Sequence, residues 1–264
     1  MWKDFIPKIF KSRMICRPRV IPALTIDGVG LYRTTSFKSP TYIGDPLNAL
    51  RIFNDKEVDE LIIFDIGKQF STKTFNLIKE MAPEAFMPLG YGGHIASLER
   101  IEEVFRAGFE KVVLNTCLWH NPRLLSEAVS SFGSQSVVVS IDVNKTWLGH
   151  EKVYVNRGKE KTNADPVEFA KKCADFGAGE IIIRSIPHDG QMQGMALDLV
   201  TRVSQNVSVP VVAIGGASTH KHLEEALSAG AHAVAAGSMF VYQGTRKAVL
   251  INYLSQEELS KLSK

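Results

Sequence analysis

Short apolar runs recur along the whole chain, separated by stretches whose apolar residues repeat at helical spacing. Most of the runs are continuous rather than alternating, which is typical of strands in a parallel sheet that is covered on both faces. They predict eight strands, at Val20–Ile26, Leu61–Ile66, Phe86–Tyr91, Lys111–Asn115, Ser136–Asp142, Ile181–Ile186, Val209–Ile214 and Ala233–Ala236. Residues 143–163 depart from this pattern and are predicted to form an excursion with a hairpin through Lys152–Val155.

Helix-start signals lie between the predicted strands. Asn121-Pro122 and Asp165-Pro166 each place a capping side chain before a proline at the first helical position. Glu168 adds the spacing of a capping box, and Gly177 follows the end of that helix. Eight strand–helix units predict an α/β protein with a closed (β/α)8 TIM barrel. A doubly wound open sheet is the alternative, although no G-x-G-x-x-G follows the first strand.

The sequence repeats itself at about half its length. Three short motifs recur 122 or 123 residues later: Gly92-Gly93 as Gly215-Gly216, Glu102-Glu103 as Glu224-Glu225, and Ala107-Gly108 as Ala229-Gly230. The repeat predicts a barrel of two similar half-barrels, and without an obvious linker we expect a single domain over residues 19–264. Residues 1–18 are basic and lack a secretory signal. They are expected to be a surface extension, or an over-long reading frame that truly starts at Met14.

Composition excludes several classes of protein. The chain has 264 residues, 45% hydrophobic and 22% charged, which excludes collagen-like, coiled-coil and largely disordered proteins. Its three scattered cysteines favour a reduced, cytoplasmic location, and no metal or cofactor is expected. The net charge of +3 is too small to indicate nucleic-acid binding, although it suits a phosphorylated substrate. No run is apolar and long enough to predict a membrane span.

Each half of the chain offers a glycine pair where a strand is expected to end, Gly92-Gly93 and Gly215-Gly216. Glycine lets backbone N–H groups approach a phosphate, especially where a helix begins. The following strand ends add Asn115-Thr116 and Gly237-Ser238. Two such sites at symmetric positions predict a ligand with a phosphate at each end, spanning the barrel mouth. Tight turn geometry is the alternative explanation of each pair.

Three aspartates, Asp65, Asp142 and Asp189, lie where strands are expected to end. Asp142 closes the mainly apolar run Val137–Ile141, and such surroundings raise the proton affinity of a carboxylate, so it is a candidate general acid or base. A helix cap or a loop-ordering carboxylate is the alternative. Asp189 precedes a glycine, which is also an ordinary turn signal.

Charged residues also mark the starts of four strands, at the opposite end of the predicted barrel. They are Arg19, Glu60, Lys111 and Glu180. Two cations and two anions around one rim could neutralise each other as a closed ion-pair ring. Solvated strand starts are the alternative.

From about Arg19 to Phe240 the chain resembles the cyclase subunit of imidazole glycerol phosphate synthase, HisF. The resemblance rests on Asp59–Leu61, Gly92-Gly93, Glu110–Val112, Leu114–Thr116, Phe132–Gln135, Val137–Asp142, Gly177–Glu180 and Gly215–Ala217. It implies a (β/α)8 barrel that binds a HisH-like glutaminase at its bottom face. Ammonia from that partner travels through the barrel to a bisphosphate at the top. Lyase and cyclisation chemistry of histidine biosynthesis then yields imidazole glycerol phosphate and an aminoimidazole carboxamide ribotide.

The resemblance also implies roles for single residues. An ammonia gate is implied at Arg19, Glu60, Lys111 and Glu180. One phosphate is implied at Gly93, Asn115 and Thr116, and the other at Gly190, Gly216, Gly237 and Ser238. Asp142 matches the general acid/base aspartate of the family and Asp189 a substrate-contacting one.

The chain departs from the family at the catalytic centre. Thr25 stands where the family has its first catalytic aspartate, and Asp27, on the same strand face, is a candidate substitute. Arg33 replaces a lysine of the first loop that contacts substrate, and Arg184 replaces a small polar residue. His94 and His188 replace a glycine and an arginine.

These departures resemble second-copy HisF-like proteins associated with sugar amidination in surface-polysaccharide (lipopolysaccharide) synthesis. Three functions are therefore expected as alternatives. The chain uses ammonia in the family reaction, or it amidinates a nucleotide-linked sugar, or it is a non-catalytic barrel that delivers ammonia from a glutaminase to another enzyme. A ketose-forming isomerase on the same plan is less well supported, because it needs two aspartates and no gate.

Overall fold

The computed structural model describes residues 17–244 and 248–262, so most of the predicted extension at 1–18 lies outside the described residues. The strands, in chain order, are β1 (Arg19–Asp27), β2 (Gly30–Thr35), β3 (Lys38–Gly44), β4 (Leu61–Asp65), β5 (Leu89–Gly92), β6 (Lys111–Leu114), β7 (Val137–Lys145), β8 (Glu151–Val155), β9 (Glu160–Lys161), β10 (Glu180–Ser185), β11 (Val211–Ile214), β12 (Ala233–Ala236), β13 (Tyr242–Gln243) and β14 (Ala248–Val249). The α-helices are α1 (Pro46–Asp55), α2 (Thr72–Met81), α3 (Leu98–Arg106), α4 (Thr116–His120), α5 (Arg123–Phe132), α6 (Pro166–Asp175), α7 (Leu197–Ser204), α8 (His220–Ser228), α9 (Ser238–Val241) and α10 (Gln256–Lys261). Short 3₁₀ turns lie at Ala82–Glu84 and Ser134–Ser136.

Parallel strands close into a barrel in the order β1–β4–β5–β6–β7–β10–β11–β12, and β12 pairs again with β1. Helices lie between successive barrel strands. The predicted (β/α)8 TIM barrel is confirmed. No helix in the described part of the chain is long and apolar enough to cross a membrane.

Two barrel strands begin two or three residues later than the sequence predicts, and a proline explains each difference. β5 starts at Leu89 rather than Phe86, and β11 starts at Val211 rather than Val209. Pro88 and Pro210 directly precede these starts and have no N–H to donate to a neighbouring strand. Their carbonyl groups still accept hydrogen bonds from the neighbouring strands. The N–H of Leu61 on β4 donates to Pro88 at 3.0 Å, and the N–H of Ile181 on β10 donates to Pro210 at 2.9 Å.

One of the two predicted helix caps is confirmed. The Asp165 carboxylate accepts hydrogen bonds from the N–H groups of Val167 and Glu168, at 2.9 and 3.2 Å, and so begins α6. Capping by the Asn121 side chain is wrong. Asn121 instead ends the preceding helix, where its N–H donates to the Cys117 carbonyl at 2.8 Å, and α5 begins without a side-chain cap.

The inside of the barrel is apolar because alternate residues of each strand point inward. The cluster that fills it consists of Ile21, Ala23, Ile62, Phe64, Val113, Val138, Ile182, Val212, Ile214, Ala233 and Ala235. The same alternation also points polar side chains inward at the two ends of the barrel. On β10, for example, Glu180 lies at the bottom, Ile182 in the middle and Arg184 at the carboxyl end, which we call the mouth.

Two antiparallel extensions lie at the mouth. β2 and β3 form a hairpin directly after β1, and β8 and β9 continue from the long strand β7. The hairpin predicted after the fifth strand is therefore confirmed. The two extensions meet at Gly158 and Phe37, where a Cβ on the glycine would lie 3.0 Å from the phenylalanine ring. They bring side chains from distant parts of the sequence onto the mouth.

Candidate active site

The bottom of the barrel carries a closed ring of ion pairs among the predicted strand-start residues. Arg19 pairs with both Glu60 and Glu180. Lys111 Nζ lies 2.9 Å from both carboxylate oxygens of Glu60 and 3.2 Å from Glu180 Oε2. The two carboxylates are only 3% and 8% exposed. The four residues thus neutralise each other rather than pointing into solvent, and their role as an ammonia gate stays a prediction.

Asp142 is the buried carboxylate of the mouth. It lies on the inner face of β7 with 6% of its surface exposed. Asn115 Nδ2 donates to Asp142 Oδ2 at 3.0 Å and also to the Ser140 carbonyl at 2.9 Å. Burial raises the pKa of Asp142 to about 6, although the positive charge of Arg184 and the hydrogen bond from Asn115 act against the shift. A carboxyl group with this pKa can accept or donate a proton near neutral pH.

Arg184 lies beside Asp142, since the two residues are register partners on β10 and β7. Its Nε and Nη2 donate to Asp189 Oδ1, at 3.2 and 2.9 Å. Its guanidinium carbon lies 4.5 Å from the ring centre of Phe37 and 5.1 Å from that of Phe64. The side chain is therefore fixed by one carboxylate and two aromatic rings. The sequence identified Arg184 only as a departure from the family, because its aromatic neighbours are remote in the chain.

Asp189 lies at the mouth as predicted, but both of its carboxylate oxygens have partners in the protein. Oδ1 accepts from Arg184, and Oδ2 accepts from Thr34 Oγ1 at 3.3 Å. Its main-chain carbonyl accepts from the N–H of Ser36 at 2.8 Å. Asp189 thus connects Arg184 to the β2–β3 hairpin, and its contact with a substrate stays a prediction.

A pocket at the mouth brings together the predicted phosphate-binding residues of the second half. Arg33 Nε donates to Ser238 Oγ at 3.2 Å, and its Nη2 donates to the Gly190 carbonyl. Thr25, Gly216 and Gly237 line the same pocket. Among the described residues no acceptor is found for the N–H groups of Gly190, Gly216, Gly237 and Ser238. Free amides beside a guanidinium are suited to bind an anion.

Two of these glycines are required by close backbone contacts. Gly190 has φ +69°, and a Cβ there would lie 2.2 Å from the Thr34 carbonyl oxygen. Gly216 has φ +97°, and a Cβ would lie 2.0 Å from the Gly194 carbonyl oxygen. Any side chain at either position would push the neighbouring segment away, so these glycines fix the shape of the pocket.

The predicted phosphate-binding residues of the first half do not line that pocket. Gly93 packs against β4, where a Cβ would lie 2.6 Å from Asp65 Cβ. Thr116 Oγ1 donates to Asn115 Oδ1 at 3.1 Å and accepts from the N–H of Asn156 at 2.9 Å. The side chains of Asn115 and Thr116 are thus bound to the protein itself, and their contact with a phosphate stays a prediction.

The Asp65 side chain orders the loop that follows β4. It accepts hydrogen bonds from the N–H of Gly67 at 2.8 Å and from Tyr91 Oη at 3.2 Å, and burial raises its pKa. His94 Nε2 lies 3.8 Å from Asp65 Oδ2. Asp27 is exposed at the end of β1, on the side of Asp65 and Gly67. Whether it replaces the carboxylate absent at Thr25 stays a prediction.

Comparison with known proteins identifies the family. The profile of the family described as "Histidine biosynthesis protein" matches residues 19–247. A Pseudomonas aeruginosa protein with the provisional name imidazole glycerol phosphate synthase subunit hisF2 is 44% identical over 240 residues, which cover 90% of this chain and 96% of that protein. The chain belongs to the HisF family.

The sequence identity of this chain to other HisF-family proteins differs from one relative to the next. A Leptospira interrogans protein, provisionally named imidazole glycerol phosphate synthase subunit HisF, is 41% identical over 250 residues, or 93% of this chain and 98% of that protein. Imidazole glycerol phosphate synthase subunit HisF of Oceanobacillus iheyensis is 33% identical over 244 residues, which cover 92% of this chain and 96% of that protein. The higher identity to the hisF2 protein is consistent with the second-copy branch that the sequence resembles.

Proposed function

We propose that this chain is the ammonia-using subunit of a HisF-type synthase. A glutaminase docks at the bottom face and supplies ammonia, which passes through the barrel to a phosphorylated substrate at the mouth. The proposal rests on one observation: the barrel has an apolar interior, with the ion-pair ring at its bottom end and the buried carboxylate of Asp142 at its mouth. We place this reaction in the cytoplasm, which the three scattered cysteines favour.

The apolar interior supports transport of the neutral molecule. An ammonium ion would lose its hydration among side chains such as Ile62, Val138 and Val212, whereas neutral ammonia loses far less. Delivery along the barrel axis keeps ammonia from being protonated in bulk water. It also releases ammonia beside the reacting carbon, which is a proximity effect.

The ion-pair ring supports a docking site at the bottom face. Arg19 is 33% exposed and Lys111 is 18% exposed, so a partner protein can reach the two cations, while the carboxylates lie beneath them. We propose that contact with the glutaminase draws a cation aside and opens the ring. Coupling the opening to docking would keep the interior closed in the free subunit.

Asp142 is the proton-transfer group in this proposal. With a pKa of about 6 it is mostly ionised at pH 7.5, where it can take a proton from the ammonia nitrogen after attack and return it to a leaving group. Asn115 fixes the position of Oδ2 and leaves Oδ1 without a partner among the described residues.

Reconstitution tests the proposal. The purified chain, a HisH-type glutaminase and glutamine should form product from the family bisphosphate or a related phosphorylated substrate. Asp142→Asn should abolish turnover with glutamine and with ammonium, and leave ligand binding intact. Lys111→Met should impair turnover with glutamine far more than turnover with added ammonium. Unchanged turnover in Asp142→Asn would refute the assigned role.

A second candidate reaction is amidination of a nucleotide-linked sugar for a surface polysaccharide. The observation that favours it is that Thr25 stands in place of the family's first catalytic aspartate, because a threonine hydroxyl does not transfer protons near neutral pH as a carboxylate does. Asp189 does not fill the gap, since Arg184 and Thr34 occupy both of its oxygens. Complementation of a strain that lacks the histidine-pathway cyclase separates the two reactions. Robust rescue would eliminate amidination as the main function.

The same threonine permits a third candidate, a barrel that activates a glutaminase and delivers ammonia to another enzyme. Incubation of the purified pair with both substrate classes, followed by mass spectrometry, distinguishes this candidate. Product formation without a third protein would exclude it.

A further inference from the structure

We propose that Arg184 determines how a ligand is held at the mouth, by preventing it from binding through a phosphate group at each side of the mouth. This inference rests on the proposed function only in placing a phosphorylated ligand at the mouth. The ligand would bind through its phosphate in the pocket of Arg33, Gly216 and Ser238. It would not span the mouth with a phosphate at each end.

The side chains of Phe64 and Arg184 meet across the full width of the mouth. Phe64 comes from β4 and Arg184 from β10, and these strands lie opposite each other in the barrel. Three strands, β11, β12 and β1, separate them on one side, and β5, β6 and β7 on the other. Phe37 of the β2–β3 hairpin covers the guanidinium from above. We call Phe64, Arg184 and Phe37 the crossbar.

The crossbar separates the two predicted phosphate sites. Among the barrel strands, β1, β11 and β12 contribute Ala23, Thr25, Ile214 and Ala236 to the pocket, and Arg184 of β10 also lines it. Asp142 and Asn115 come from the other side, from β7 and the end of β6. Arg184 is the register partner of Asp142 on one side and of Ile214 on the other. It therefore stands at the boundary between the halves.

The two halves also differ in what they offer an anion. On the pocket side, Arg33 brings a cation, and the surrounding amides have no acceptor among the described residues. On the opposite side, the Asn115 side chain donates to a carboxylate and the Thr116 hydroxyl is bound to the β8–β9 turn. A phosphate would meet the negative charge of Asp142 there. The N–H groups of Gly93 and Thr116 also have no acceptor among the described residues, so the halves differ in charge, with the Arg33 guanidinium on the pocket side and the Asp142 carboxylate on the other.

Arg184 acts as a barrier rather than as an anion-binding group because its charge is already matched. Two hydrogen bonds to Asp189 Oδ1 hold it, and both ring contacts restrict its rotation. A bisphosphate that reaches both halves must displace the guanidinium from Asp189 and from between the rings. A monophosphate that fills the pocket leaves the crossbar intact.

Calorimetric titration of the full chain tests the inference with fructose 6-phosphate and fructose 1,6-bisphosphate as probes. The wild-type protein should bind one equivalent of either probe, with dissociation constants equal within about threefold. Arg184→Ser should lower the ratio of the bisphosphate to the monophosphate dissociation constant at least tenfold, because both probes meet the unpaired Asp189 carboxylate but only the bisphosphate gains contacts in the second half. Arg202→Ser removes an arginine that pairs with Glu151 outside the mouth and should leave both constants unchanged.

A second variant keeps the test decisive if Arg184→Ser does not fold. Phe37→Ala removes the ring that covers Arg184. It should lower the ratio of the bisphosphate to the monophosphate dissociation constant too, but by a smaller factor. A wild-type preference of tenfold or more for the bisphosphate would overturn the inference, as would an unchanged ratio in a folded Arg184→Ser protein. The titrations use neither ammonia nor glutaminase, so they can succeed where ammonia transfer fails. If neither probe binds the wild-type protein, the pocket is not a phosphate site and the inference falls with it.

Discussion

The side-chain amide of Asn115 donates a hydrogen bond of 3.0 Å to the buried carboxylate of Asp142. This contact stabilises the ionised form of a group that its surroundings favour as neutral. Burial, the larger effect, raises the pKa of Asp142 to about 6 from an ordinary value of 3.8. The balance between the two effects has consequences for stability and for proton transfer.

Replacing the ionisable group should stabilise the protein at alkaline pH. Because the pKa of Asp142 is raised in the folded state, its contribution to stability is complete below about pH 4 and is lost as pH rises through 6. Asp142→Asn should therefore increase the free energy of unfolding at pH 8 by about 1–3 kcal/mol. Urea unfolding at pH 8 and pH 4.5 measures the effect, which should shrink at the lower pH. Asp55→Asn, at an exposed position, should show no such pH dependence.

Removing the hydrogen bond should raise the proton affinity of Asp142 further. In Asn115→Ala the carboxylate loses its donor but keeps its burial, so its pKa should rise above 6. The ¹³C chemical shift of the Asp142 carboxyl carbon, followed from pH 4 to 9, reports the change without an activity assay. Arg106→Ala, far from the mouth on α3, is the control. A pKa that stays the same or falls in Asn115→Ala would show that the contact does not stabilise the carboxylate.

Breaking the ion-pair ring should be costly. In Lys111→Met the buried carboxylates of Glu60 and Glu180 share only Arg19, and uncompensated buried charge destabilises by about 3–5 kcal/mol. We expect a loss toward the lower end of this range, because Arg19 remains. Arg106→Ala removes an exposed pair with Glu102 and should leave the denaturation midpoint unchanged. Equal effects of the two substitutions would argue against a buried ring.

The backbone contact at Gly190 should be necessary for anion binding. Gly190→Ala adds a methyl group where only 2.2 Å separates it from the Thr34 carbonyl oxygen, so the β2–β3 hairpin must move and carry Arg33 away from Ser238. Phosphate affinity should fall at least tenfold by calorimetry. Gly149→Ala is the matched control, since Gly149 also has a positive φ, +83°, but a Cβ there meets nothing within 4 Å. Both variants carry about 1–2 kcal/mol of backbone strain, and only Gly190→Ala should lose affinity.

The barrel follows from the sequence because continuous apolar runs and helix signals are local properties. Boundaries were less well predicted where one residue changes the hydrogen bonding, as Pro88 and Pro210 do at the starts of two strands. Asn121 fits the pattern of a helix cap, but its N–H completes the preceding helix instead. Such competition between neighbouring elements is decided by packing, which the local pattern does not contain.

The site could be predicted residue by residue but not as an arrangement. The ring residues and Asp142 were found because charge at strand ends is visible in the sequence. The role of Arg184 was not visible, because Phe37, Phe64 and Asp189 reach it through the closure of the barrel and the folding of a hairpin. A basic residue at an inward position of an apolar strand was the one local signal.

The connectivity of the four charged residues at the bottom face has a mechanical consequence. Each cation touches both anions, and each anion touches both cations. Parting any one contact therefore leaves every member still attached to one opposite charge. Four charges connected in this way can lose one contact while each ion keeps a partner of opposite charge.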